Sequence, residues 1–261
     1  MLVYSLSIAE AIFAGSIIVI GGMVEGTGKG LSLGTKWPYT RNMPGLALKL
    51  DSEVWHRVVA TILGLNAVAI LILGRGELEI VGFLLVAATA LLGLGTLYTQ
   101  AGKAPSLIQG THDILAYLTL LTYLLLAVSD PVNFGSFLLH AIPLHSFLLV
   151  AFMGGVTAGQ RGFGKAIGQF VVPKTFAQWA WVVHMLSVLI FILTLAYFFP
   201  NYDVAFILTL VQMGVGLFSY QSVNKNPKRP GMLIPTHQLF SVLIVVSIFF
   251  GLSINVPFLM K

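Results

Sequence analysis

Apolar stretches of about 18 or more residues recur from one end of this chain to the other, each long enough to cross a bilayer core of roughly 30 Å. Hydrocarbon offers no partner to a backbone N–H or C=O, so runs of this length fold as helices that satisfy those groups internally. The runs lie at 4–24, 54–73, 78–99, 110–129, 134–156, 177–199, 203–221 and 235–256. Of 261 residues, 57% are hydrophobic and 9% charged, where soluble domains carry about a quarter charged residues. No stretch is left for a soluble domain. The expectation is an all-α integral membrane protein of eight transmembrane helices, multi-pass in the cell membrane, with lipid as its surround. The first run follows Met1 without a basic segment or an A-x-A site, so it reads as a retained helix.

Polar Gly, Pro and Asn clusters stop the helices: Gly74-Arg75-Gly76-Glu77, Ser129-Asp130-Pro131 and Pro200-Asn201. Segments 25–53, 100–109, 157–176 and 222–234 are longer loops, whereas 74–77, 130–133 and 200–202 are tight turns. With an even number of spans, the longer loops share one side of the membrane.

The second half repeats the first. Gly21-Gly22, followed by Gly26, Gly28, Gly30 and Gly34, is echoed by Gly154-Gly155, Gly159, Gly162, Gly164 and Gly168 after one inserted residue. Trp55-His56 is echoed by His184, and Thr111-His112 returns as Thr236-His237. Four spans restore the starting side, so the copy is parallel. Two pseudo-symmetric four-helix bundles are expected, 1–133 and 134–261.

The chain has no cysteine, which removes disulfides, thiolate metal sites, iron–sulfur clusters and covalent c-type heme attachment. The net charge of +5 comes without a basic run interleaved with aromatics, so nucleic acid is not an expected partner; it fits contact with anionic lipid or an anionic ligand.

Four of the six histidines, His56, His112, His184 and His237, fall in the first two turns of the second, fourth, sixth and eighth spans. Those helices run the same way, so the four share one depth near one interface. Polar residues inside a membrane are costly and mark function when they face a bundle interior. Two imidazoles facing each other across a bundle can hold heme iron from both sides, whereas zinc needs three or four ligands close together. One heme per half is expected, with His56 and His112 as axial ligands of one iron and His184 and His237 of the other. His140 and His145, five residues apart with Pro143 between, point roughly 140° from each other on a helix and read as packed or hydrogen-bonded residues beside a kink.

The halves differ around their histidines. Glu53 stands one turn before His56 on the same face, and Trp181 takes its place in the second half. Arg57 becomes Met185, and Asp113 becomes Gln238. A carboxylate at a heme edge can move protons or stabilise positive charge; equally, Glu53 can simply pair with Arg57 at i,i+4, and Arg57 can pair with a heme propionate. A reactive first half and an electron-carrying or structural second half are expected.

The stretch Gly26-Thr-Gly-Lys-Gly-Leu-Ser-Leu-Gly-Thr-Lys-Trp-Pro38, the motif Glu53-Val-Trp-His-Arg57 and the three later histidines resemble the heme A synthase family of cytochrome oxidase assembly. The resemblance implies an eight-helix oxidoreductase that converts heme O to heme A by oxidising a ring methyl group to a formyl group. It implies that His56 and His112 flank the substrate heme, that Glu53 is the catalytic carboxylate, and that His184 and His237 ligate a permanent heme b. Heme O synthase and a terminal oxidase would be its partners, beside an unidentified electron donor. Many members carry cysteine pairs in their outer loops; this chain has none, so no thiol role is available to it.

Two cues to orientation conflict. Lys29, Lys36, Arg41, Lys49, Lys103, Arg161, Lys165, Lys174, Lys225, Lys228 and Arg229 crowd the longer-loop side, which the positive-inside rule places in the cytoplasm. The resemblance places those loops outside, where their cations can neutralise heme propionates, and that orientation is the one expected. Two rival readings share the histidines: a bis-histidine diheme cytochrome for electron transfer, and a non-enzymatic heme carrier or assembly factor. A transporter built on inverted repeats fits a parallel repeat poorly.

Overall fold

The computed structural model describes residues 1–128 and 133–255, without the side chains of 253–255. Among the described residues the chain is helical throughout, with eight helices long and apolar enough to span a membrane. In chain order the helices are α1 (Leu2–Gly26), α2 (Met43–Ala47), α3 (Ser52–Gly74), α4 (Glu77–Gln100), α5 (Leu107–Ala127), α6 (Phe134–His140), α7 (Ile142–Arg161), α8 (Phe176–Tyr197), α9 (Asp203–Lys225) and α10 (Leu233–Asn255). The chain is a multi-pass membrane protein.

Local chemistry sets the helix ends. Asp51 caps α3, its side chain accepting from the N–H groups of Glu53 and Val54. Arg75 closes α3 in the left-handed region at φ 60°, and Gly76 opens α4. Thr175 and Gln178 form a reciprocal capping box at the start of α8. The expected turn at 130–133 and the stop at Ser129-Asp130-Pro131 lie mostly outside the described residues.

One expectation needs correction. The stretch 134–156 is not one kinked helix: the chain breaks at Ala141 (φ −84°, ψ 61°), giving the short α6 and then α7. Pro143 sits in the first turn of α7, where its missing N–H leaves no intrahelical bond unmade, so it starts a helix and kinks none. The first long loop contains α2, and Met43 packs with Leu33 and Val54 into a small cluster over the start of α3.

Inner and outer helices are distinct. α1 packs on α3, α5 and α10; α5 packs on α4, α1 and α7; α7 packs closely on α8, and α10 on α9. α3 also meets α4, while α8–α9 and α7–α10 touch more lightly. Helices α1, α5, α7 and α10 thus form the centre, and α8 turns Leu186, Leu189, Ile190 and Leu193 outward, as lipid contact requires.

In lipid, helices associate through close packing and polar contacts rather than by escaping water, and glycines make the central crossings possible. A Cβ on Gly22 of α1 would stand 2.8 Å from Gln238 Cγ and from Pro235 Cα of α10. On Gly155 of α7 it would stand 2.8 Å from the Cα of Gly110 on α5. On the longer-loop side, Gly231 N–H donates to Gly26 O at 2.9 Å and Phe163 N–H to Gln100 O at 3.1 Å. There too the buried Arg161, ending α7, forms an ion pair with Glu25 near the end of α1.

Candidate functional site

Each of the four helix-start histidines lies against a glycine of the preceding membrane helix. A Cβ on Gly21 would stand 3.5 Å from His56 Cε1, and one on Gly93 3.5 Å from His112 Cε1. The corresponding distances are 3.3 Å from Gly154 to His184 and 3.1 Å from Gly216 to His237. At Gly154 and Gly216 a side chain would crowd the ring, whereas at Gly21 and Gly93 it would make an ordinary contact. All four histidines are half-buried.

The ring nitrogens are treated unequally. His112 Nδ1 lies 3.0 Å from Thr89 O, and His184 Nδ1 lies 3.2 Å from Val150 O. In both cases the carbonyl belongs to the residue one turn before the seating glycine. Ile17, one turn before Gly21, acts on His56 in the same way but without completing a hydrogen bond to Nδ1. His237 Nδ1 has no protein partner, and Gln212 Nε2 donates to the His237 carbonyl at 2.7 Å. Nδ1–H donation to a carbonyl leaves the Nε2 lone pair as the ligating position. No protein hydrogen bond engages Nε2 of any of the four among the described residues.

His56 and His112 are close enough for their charges to interact, and so are His184 and His237. No group of three or more His, Cys, Asp or Glu side chains converges as a metal site among the described residues. His184 lies in the third turn of α8, counted from Phe176, one turn deeper than the expected first two.

Glu53 and Arg57 are both buried, and their groups are fully engaged. Glu53 Oε1 receives Arg57 Nη2 at 2.5 Å, while Oε2 accepts from Leu33 N–H at 3.1 Å and lies 3.0 Å from Ser32 Oγ. Arg57 Nη1 donates to Lys36 O at 2.7 Å and Pro38 O at 3.0 Å. Together the two side chains tie the first loop to the start of α3. Trp181, in the equivalent place, does the same for the third loop by another means: its ring packs on Phe170 at 5.7 Å and on Tyr220 of α9 at 4.6 Å.

Asp113 and Gln238, each one residue after a histidine, both cross to the other half. Asp113 accepts from Gln109 Nε2 at 2.9 Å, and its other carboxylate oxygen abuts Gly155 of α7. Gln238 abuts Gly22 of α1. The doubled glycines therefore divide their work: Gly21 and Gly154 each seat a histidine of their own half, while Gly22 and Gly155 admit a side chain from the other. Tyr117 of α5 bridges the same seam, 2.6 Å from Ser241 Oγ of α10.

His140 and His145 stay apart from the four. His140 Nδ1 lies 2.8 Å from Ser136 O, and His145 Nε2 lies 2.6 Å from Leu138 O, so both are hydrogen-bonded as expected.

Sequence reading missed the seats on α4 and α9. A signal was present in the paired Gly-x-Gly of Gly93-Leu-Gly95 and Gly214-Val-Gly216, but only the fold shows that Gly93 uses its first glycine and Gly216 its last. Compared with known proteins, the chain matches no family model and no curated protein sequence.

Proposed function

We propose that this chain binds heme at two bis-histidine sites, His56 with His112 and His184 with His237, one in each of two four-helix halves. We further propose that it acts as a heme A synthase, oxidising a methyl group of heme O to a formyl group. The observation that carries this reading is the fourfold arrangement of imidazoles on glycine seats with Nε2 left free. A packing or interfacial histidine gains nothing from a free Nε2 inside a membrane, where an unmet polar atom is costly. An axial ligand needs it.

The residues fit such a group. Carbonyls of Thr89 and Val150 hold two of the rings in one orientation, the second-shell role that raises a ligand's basicity and fixes its tautomer. A bound heme would supply one-electron redox chemistry at its iron. The protein's part is to hold the porphyrin, exclude water and set charge near its edge. In the first half Arg57 and Glu53 are the charged pair nearest His56 in sequence; the second half offers Trp181 and Met185 there. That asymmetry supports a reacting first site and a permanent heme b at the second. In this role a heme O synthase would supply the substrate, a terminal oxidase would receive the product, and a separate donor would deliver electrons.

A specific observation favours a second reading, a diheme cytochrome that leaves heme unchanged. Both oxygens of Glu53 are already bonded, to Arg57 and to the first loop, as a structural latch would be. Pigment extraction from cells expressing the chain together with a heme O source separates the two. Formyl-bearing heme A supports the synthase, whereas unchanged heme O supports the cytochrome. A Glu53→Gln variant that keeps heme and the trypsin resistance of the first loop but loses conversion assigns the carboxylate to the chemistry.

A further inference from the structure

Glu10 is fully buried in α1, on the half of the membrane opposite the histidines. It stands eight residues into the helix from Leu2, about 12 Å along the axis at 1.5 Å per residue. Asn66 of α3 donates from Nδ2 to Glu10 Oε2 at 2.7 Å and to Leu6 O at 3.0 Å. Glu10 Oε1 has no protein partner. Tyr123 of α5 is also fully buried, its hydroxyl likewise has no protein partner, and it is near enough for the charge of Glu10 to act on it. Its ring end lies against Gly82 of α4. Thus all four membrane helices of the first half meet at this point.

None of the ion pairs among the described residues involves Glu10, and Arg75 at the end of α3 is exposed and turned back to Ile72 O. The other charged group acting on Tyr123 is acidic, Glu79 at the start of α4. On α10, the remaining helix packed on α1, the buried side chains are apolar: Ile244, Val245 and Ile248. An ionised carboxylate so placed would be buried without a counter-charge among the described residues, which costs far more than neutralising it. The second half has no counterpart. The positions equivalent to Glu10, Asn66 and Tyr123 are Pro143, Thr194 and Ile248, so the repeat itself does not require the cluster.

We propose that Glu10, with Asn66 and Tyr123 around it, is an exchangeable proton-binding site of the first half. Its ligand is a single proton, carried as the carboxylic acid and hydrogen-bonded by Asn66. Release converts the group to a carboxylate that the Asn66 amide stabilises by its hydrogen bond and toward which the Tyr123 hydroxyl, within range of its charge, can turn. The site does not depend on heme being the ligand of the histidines.

Infrared spectroscopy of the full chain in lipid tests it. The difference between wild type and Glu10→Gln at neutral pH is expected to contain the C=O stretch of a protonated carboxylic acid, and that band is expected to shift in D₂O. Asn66→Leu and Tyr123→Phe, which keep Glu10, are each expected to move the loss of that band to higher pH. A difference spectrum showing only carboxylate bands would overturn the proposal. So would a carboxylic band that never exchanges, or a titration that neither neighbouring variant moves. Because no heme signal is read, failure here leaves the histidine sites untouched, and the reverse also holds.

Discussion

Glu53 and Arg57 sit one turn apart on α3 and join at 2.5 Å, and every further side-chain bond they make reaches into the first loop, at Ser32, Leu33, Lys36 and Pro38. The pair therefore orders the loop that overlies the start of α3, four residues from His56. A charged latch in the first half and an aromatic one, Trp181 on Phe170, in the second perform the same mechanical task with different electrostatics. Only the first leaves charge beside a histidine.

Breaking that latch has a measurable consequence. Removing one partner of a buried ion pair typically costs about 3–5 kcal/mol, and here it also frees the loop. Glu53→Ala is expected to lower the thermal midpoint and to open Lys36 and Arg41 to trypsin. Glu53→Gln, which keeps the acceptor for Leu33 N–H, should do so less. Equal resistance to trypsin in wild type and both variants would show that the loop is held by something else.

The four glycine seats differ in tightness, and their tolerance should follow. Gly216 and Gly154 leave 3.1 and 3.3 Å to the histidine ring, against 3.5 Å at Gly21 and Gly93. Alanine is therefore expected to disturb ligation most at Gly216, less at Gly154, and to be accommodated at Gly21 and Gly93, where the contact is an ordinary van der Waals one. Leucine at any of the four should displace the ring and abolish binding at that pair. Heme retained on purification, read from Soret absorbance per chain, ranks them. The reverse order would mean that the glycines do not set the ring positions.

Arg161 and Glu25 join the ends of α7 and α1, and little water reaches either group. Arg161→Ala leaves Glu25 without its partner and is expected to cost roughly 3 kcal/mol. The double variant Arg161→Leu, Glu25→Leu should recover much of that loss, because it removes both desolvation costs together. Detergent-resistant thermal unfolding of the two variants distinguishes these outcomes; a double variant no better than the single would place Arg161's value in its other bond, to Lys165 O at 2.6 Å.

The spans were legible because hydropathy over about 20 residues is a direct reading of the solvent a helix requires. The doubled glycines and the histidines were legible because apolar helices have no general need of either. What the sequence could not supply was partnership. Gly22 and Gly155 look like their neighbours Gly21 and Gly154 in the chain, yet they face opposite halves. The break at Ala141 was hidden because Pro143 two residues later is the stronger local signal, and proline at a helix start is indistinguishable in sequence from proline at a kink. Glu10 passed unnoticed because one acidic residue scarcely dents the hydropathy of a 25-residue helix, although its buried neighbours on α3 and α5 make it the most costly group in the span.

The most direct measurement is heme content per chain in the purified protein, with and without one histidine pair. Two hemes per chain are expected for wild type, with low-spin spectra from two imidazoles on each iron. One heme is expected for His184→Ala, His237→Ala and one for His56→Ala, His112→Ala. Absence of Soret absorbance from folded wild-type protein, or identical heme content in all three, would contradict ligation by these four side chains.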